Sequence, residues 1–219
     1  PYPPAEPKEP PTAFGPDEPR PKKKKARVYL RDGKERLMQH TVQTSFWSAG
    51  GKPISAEEFL NNLFGELPKL FKNDEELRKL WSNPFTIKTL LENLHTAGFP
   101  KDDLMILQKL VVMQKSDLYD VLEHLFKGDS IATTREARAK AAEVTIFALL
   151  NDNQREFIAF LMSKYVDKGV DELDQEKLPI LLTKKYQSLE DAKVSLSEIP
   201  NIRKFFVEFQ EHFYKQEVI

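Results

Sequence analysis

The stretch that most resembles catalytic machinery is Pro16-Asp17 followed by Asp32-Gly33-Lys34. It has the PD…(D/E)xK form of metal-dependent nucleases. That chemistry needs both carboxylates held near one metal ion on rigid neighbouring elements, with the lysine beside them. Here Asp17 stands in proline-rich chain and Asp32-Gly33 has the composition of a turn, so the short pattern is read as coincidental. No catalytic and no metal-binding residue is assigned. The four histidines, His40, His95, His124 and His212, include no pair spaced i, i+4 and no H-E-x-x-H. His95 falls near an expected helix C-terminus, where its positive form would suit the helix dipole. Asp171 to Glu176 is an acidic run without the glycine and the ladder of a calcium loop, and reads as carboxylates in a helix first turn. No G-x-x-x-x-G-K-[ST] occurs, so no phosphate cradle of the P-loop kind and no cofactor is expected in this chain.

Two groups of residues are better placed to bind than to react. Lys22, Lys23, Lys24, Lys25 and Arg27 form a basic run that can neutralise phosphates without reading sequence, and they are the candidate nucleic-acid contacts. The competing reading is a solvated linker held extended by self-repulsion. Phe46 and Trp47 are the candidate partner contacts, because aromatic side chains on a small appendage can anchor another protein. They can equally staple that appendage to the body of their own chain. A C-terminal stripe of phenylalanines reads as core.

The charge distribution sharpens this. Residues 1–54 hold 11 Lys/Arg and 6 Asp/Glu, a balance of +5, whereas the remainder holds 22 and 28, a balance of -6. A basic arm on an acidic body points to phosphate or to an acidic partner, and away from a body that is itself a broad DNA-binding surface. The absence of cysteine removes disulfides, thiolate metal sites and cysteine nucleophiles, and suits a reducing cytoplasm. No apolar run reaches membrane-spanning length, so no membrane association is expected.

The elements that must position these residues follow from periodicity. Nine of the 15 prolines crowd into residues 1–21, which marks residues 1–26 as a Pro-rich, basic linker. Residues 27–54 read as a β-hairpin appendage: Arg27 to Leu30 alternates, Asp32-Gly33 is a hairpin turn signal, and Thr41 to Trp47 extends the second strand. Residues 55–219 switch to helical spacing. Ser55 with Glu58, Asn73 with Glu76, Asn83-Pro84, Ser116, Thr133 with Glu136, and Ser188 open helices, and Gly65, Gly98, Gly128 and Gly169 stop them. Roughly nine to eleven short helices with short connections predict an all-α, irregular multi-helix bundle carrying a small N-terminal hairpin.

A resemblance goes further. Phe46-Trp47 before Gly51-Lys52-Pro53, Ser55-Ala56-Glu57-Glu58-Phe59-Leu60, Glu75 to Trp81, Gln154-Arg155-Glu156-Phe157, Gly169 to Leu173, Lys177-Leu178-Pro179, Ile202-Arg203 and Phe205 to Gln210 occur in an order and spacing similar to the C-terminal region of type I restriction enzyme R subunits of the EcoEI-like kind. The likeness covers about residues 27 to 215. It implies that ATP, Mg²⁺, the nuclease and the motor belong to other domains of the parent subunit, a type I site-specific deoxyribonuclease with ATPase activity. It also implies a non-catalytic role for this region. The implied partners are the methyltransferase core of modification and specificity subunits and, through the whole complex, DNA.

Overall fold

The computed structural model describes residues 25–30, 35–39, 46–48, 50–128 and 132–214. The fold is all-α, with two small antiparallel hairpins before the helices. Strand β1 (Lys25–Tyr29) pairs with β2 (Glu35–Gln39), Lys25 opposite Gln39 and Tyr29 opposite Glu35. The expected turn at Asp32-Gly33 lies outside the described residues. Phe46 and Trp47 do not prolong β2. They form β3 (Phe46–Trp47), which pairs with β4 (Pro53–Ile54). Gly51 makes this second hairpin possible by taking φ +71°, and the Ser48 N–H closes the turn by donating to the Lys52 carbonyl at 2.8 Å.

Ten α-helices follow among the described residues: α1 (Ala56–Leu70), α2 (Asp74–Trp81), α3 (Pro84–Thr96), α4 (Lys101–Leu110), α5 (Leu118–Lys127), α6 (Arg135–Phe147), α7 (Asp152–Lys168), α8 (Leu178–Tyr186), α9 (Leu189–Ser195) and α10 (Ile202–Glu208). Short 3-10 segments at Val170–Leu173, Gln175–Lys177 and Phe209–Tyr214 join or extend them. None of the described helices is long and apolar enough to cross a membrane.

Local chemistry sets most of the boundaries. Ser55 Oγ accepts from the Glu58 N–H at 3.1 Å, and Asn73 Oδ1 from the Glu76 N–H at 2.8 Å. Asn83 caps α3 with Pro84 at its first position. Gly98, Gly128 and Gly169 end helices at φ of +96°, +90° and +87°. Four expected boundaries move. Gly65 does not stop α1, because Leu67 continues the buried stripe of Phe59, Leu60 and Leu63, and its burial outweighs the weak propensity of glycine. Asp117, not Ser116, caps α5. Thr134, not Thr133, caps α6, accepting from the Ala137 N–H at 3.2 Å. The acidic run forms 3-10 turns rather than the first turn of one helix.

One continuous core joins the hairpins to the helices. It includes Leu30 and Phe46 from the N-terminal segments and Phe59, Leu63, Trp81, Leu125, Phe157, Tyr165 and Phe206 from the bundle. Helix α2 packs on α5, α6 on α7, and α8 on α9; the Phe209–Tyr214 segment lies along α6.

Helix α4 ends in a paired-hydrogen-bond turn of the kind that glycine usually serves. The Met113 N–H donates to the Gln108 carbonyl at 2.9 Å and the Val112 N–H to the Lys109 carbonyl at 3.2 Å. Val112 occupies the left-handed position at φ +63°, where a β-branched side chain is strained, yet it stands half exposed and packs little. Replacing Val112 with Gly should therefore raise stability by about 1 kcal/mol, read as a higher denaturant midpoint with an unchanged slope.

Candidate functional site

The most polar part of the interior lies where α5, α6, α7 and the Phe209–Tyr214 segment meet. Asp117, at the N-terminus of α5, is almost wholly buried. Its Oδ2 accepts from the hydroxyl of Tyr165 in α7, and from that of Tyr214 at 2.8 Å. Arg138 of α6 donates to Asp120 Oδ1 at 2.5 Å and to the Phe213 carbonyl at 3.2 Å, and its Nε lies 3.8 Å from Asp117 Oδ2. The same guanidinium sits over the rings of Tyr214 at 4.7 Å and Tyr119 at 5.2 Å. Asp120 Oδ2 accepts the Asp117 N–H at 2.9 Å, so the two carboxylates are held back to back. One turn earlier on α6, Arg135 donates to the carbonyls of Ser116 at 2.5 Å, Gln114 at 3.2 Å and Val166 at 3.1 Å.

Burial dominates the acid–base behaviour. It raises the Asp117 carboxyl against the opposing pull of the Tyr165 hydroxyl and Arg138. It pushes Asp120 up to about 6, again against Arg138. Burial also raises the phenols of Tyr165 and Tyr214, so both remain hydrogen-bond donors. Perturbed carboxyls can mark a reactive site. Here Tyr, Arg and backbone groups engage them, and they join four segments of chain. This arrangement is that of an internal clamp. Gly169 packs against it at φ +87°, where an added Cβ would lie 3.6 Å from Asp117 Oδ1. Among the described residues, no group of three or more His, Cys, Asp or Glu is placed to hold a metal ion.

The residues singled out in the sequence fall in different places. Asp17, Asp32, Lys34 and Lys22 to Lys24 lie outside the described residues. Lys25 and Arg27 lie in β1, opposite Gln39 and Leu37. The strand alternation separates Phe46 from Trp47. Phe46 is fully buried and stacks on Phe59, ring centroids 4.2 Å apart. Trp47 points the other way, is 58% exposed, and borders a cleft of about 480 Å³ with Asn61, Glu66, Lys69 and Gly98. In the acidic run, Asp171 pairs with Lys101, and Glu172 with Lys177 at 2.9 Å. His95 is exposed beside the cleft between α3 and the Val170–Leu173 turn.

A second opening has no counterpart in the motifs read from the sequence. Helices α8, α9 and α10 enclose a groove of about 460 Å³ whose lining includes Leu178, Leu182, Leu189, Ala192, Leu196 and Ile202. Ile180 and Val194, also on α8 and α9, stand 58% and 77% exposed. Leu189 shares the i, i+3, i+7 stripe of buried Ala192 and Leu196, so spacing alone marks it as core, whereas Ile180 and Val194 lie off the buried stripes and outside the groove lining.

No curated protein and no solved structure matches the chain. The family model described as EcoEI R protein C-terminal matches residues 57–214, well over half of the sequence and nearly all of the helical bundle. That match takes in the clamp, the groove and every α-helix, so the chain belongs to the EcoEI R protein C-terminal family and carries the C-terminal domain of a type I restriction enzyme R subunit.

Proposed function

We propose that this domain is a non-catalytic assembly module that seats the R subunit on the methyltransferase core of modification and specificity subunits in the cytoplasm. Family membership implies a multi-subunit restriction-modification complex. The observation that supports docking is the exposed apolar surface. Trp47, Phe85, Leu149, Ile180 and Val194 are each more than half exposed, whereas the buried carboxylates are engaged inside the fold. Exposed aromatic and aliphatic side chains beside concave surfaces are the ordinary material of protein interfaces. On this reading ATP and Mg²⁺ serve other domains of the R subunit, and DNA is met through the whole complex.

A second reading rests on the +5 balance of residues 1–54, in which Lys22 to Lys25 and Arg27 grip duplex DNA. Competition separates the two. Excess full chain, added to methyltransferase core before the complete R subunit, should block ATP-dependent restriction and leave methylation intact. Inhibition that disappears when Lys22 to Lys25 are neutralised, and that weakens steeply with salt, would favour the DNA reading.

A further inference from the structure

We propose that the α8–α9–α10 groove is the face that receives the partner, and that it takes a protein segment with apolar side chains flanked by carboxylates. The proposal rests on the assembly reading and adds which surface docks and what chemistry it selects. The groove floor is aliphatic, formed by Leu178, Leu182, Ala192 and Leu196, with Leu189 and Ile202 at its sides. Its lining contains two cations, Lys193 and Arg203, and no carboxylate. Both cations are exposed, and neither forms an ion pair among the described residues.

The surrounding charge has the same sign. Residues 177–204 hold six Lys/Arg against three Asp/Glu, a balance of +3, within a body whose balance from residue 55 onward is -6. Of these cations, Lys177, Lys185 and Lys204 pair with Glu172, Glu156 and Glu208, so the positive charge facing the groove is that of Lys193 and Arg203.

These features restrict the occupant. An occupant that is only apolar would fill the floor but strand two cations away from water, which is costly. The sugar–phosphate backbone of DNA would meet the cations but offer little to an aliphatic floor. A segment with adjacent apolar side chains and flanking Asp or Glu satisfies both, gaining burial at the centre and charge complementarity at the rim.

The test uses the full chain and purified methyltransferase core, with Lys193→Glu/Arg203→Glu and Leu189→Ser as groove variants. All three positions are exposed, so thermal unfolding should remain close to that of the parent chain. The charge-reversed variant should bind the core about 10- to 100-fold more weakly, and Leu189→Ser about 3- to 10-fold more weakly. If the parent chain binds and both variants bind within twofold of it, the groove proposal fails while the assembly reading stands. If the parent chain does not bind the core, both fail. The groove proposal is also overturned if the charge-reversed variant keeps its affinity for the core but loses salt-dependent DNA binding, or loses self-association instead.

Discussion

Replacing Arg138 with Met should cost about 3–5 kcal/mol of stability at pH 8, more than any surface substitution in this domain. The guanidinium is the nearest positive charge to both Asp117 and Asp120, and it bridges α6 to the Phe209–Tyr214 segment through the Phe213 carbonyl. Methionine keeps much of the volume over Tyr119 and Tyr214 but takes the main counter-charge from two buried carboxylates, leaving Asp117 only the weaker pull of Arg135. The cost should depend on pH in a defined direction. Asp120 is already pushed up to about 6 by burial, and Asp117 is raised as well. A carboxyl whose folded value lies above its unfolded value of about 4 contributes full stability below pH 4, and that contribution is lost as pH rises through the folded value. Removing Arg138 removes a charge that holds both carboxyls down, so the window moves upward. The gap between parent and Arg138→Met should therefore be smaller at pH 5 than at pH 8. Chemical denaturation at the two pH values reads this directly. An equal gap at both would show that the two carboxyls do not feel the guanidinium.

Replacing Phe46 with Ala should produce the next largest loss, about 3–5 kcal/mol if the site keeps its shape. Phe46 has no exposed surface, stacks on Phe59 at 4.2 Å and reaches the Phe99 ring through it, Phe59 and Phe99 being 5.3 Å apart. Phe46 sits in a two-residue strand held to β4 by a short ladder, so the chain has another response open to it. The β3–β4 hairpin can detach and leave the bundle folded, because an isolated hairpin contributes little stability of its own. Hydrogen exchange separates the outcomes. Lost protection confined to residues 46–54 signifies detachment and a loss smaller than the full cavity cost. Lost protection across α1 and α3 signifies a cavity in a core that the hairpin completes. Trp47, exposed on the opposite face, should tolerate Ala with less than about 0.5 kcal/mol of change, so a loss of partner binding in Trp47→Ala would report on contact rather than folding.

Sequence legibility followed the range of the interactions. Caps act over three or four residues, so Ser55, Asn73 and Asn83-Pro84 announce their helices, and the positive φ at Gly98, Gly128 and Gly169 marks their ends. Gly65 misleads because the burial of Leu67 is a tertiary effect that local propensity does not carry. Val112 misleads in the opposite sense, since it sits in a left-handed turn with no glycine to mark it. The clamp was not legible at all. Tyr165 and Tyr214 reach Asp117 across 48 and 97 residues of chain, and each residue alone reads as an ordinary helix cap or stripe member. Of the two aromatic candidates, strand alternation predicts that one turns inward. Which one depends on the pairing of β3 with Pro53–Ile54, a contact that the expected extension of β2 concealed. The groove lies between these extremes. Leu178, Leu182, Ala192 and Leu196 are legible as stripe members, but their convergence on an open groove depends on how α8, α9 and α10 pack.

The measurement that bears most directly on the assembly role is a titration of the full chain against purified methyltransferase core, with and without DNA, at two salt concentrations. Saturable binding in the absence of DNA, persisting at the higher salt, is the predicted result. Binding that appears only with DNA and only at low salt would contradict an assembly module and assign the contact to the basic arm instead.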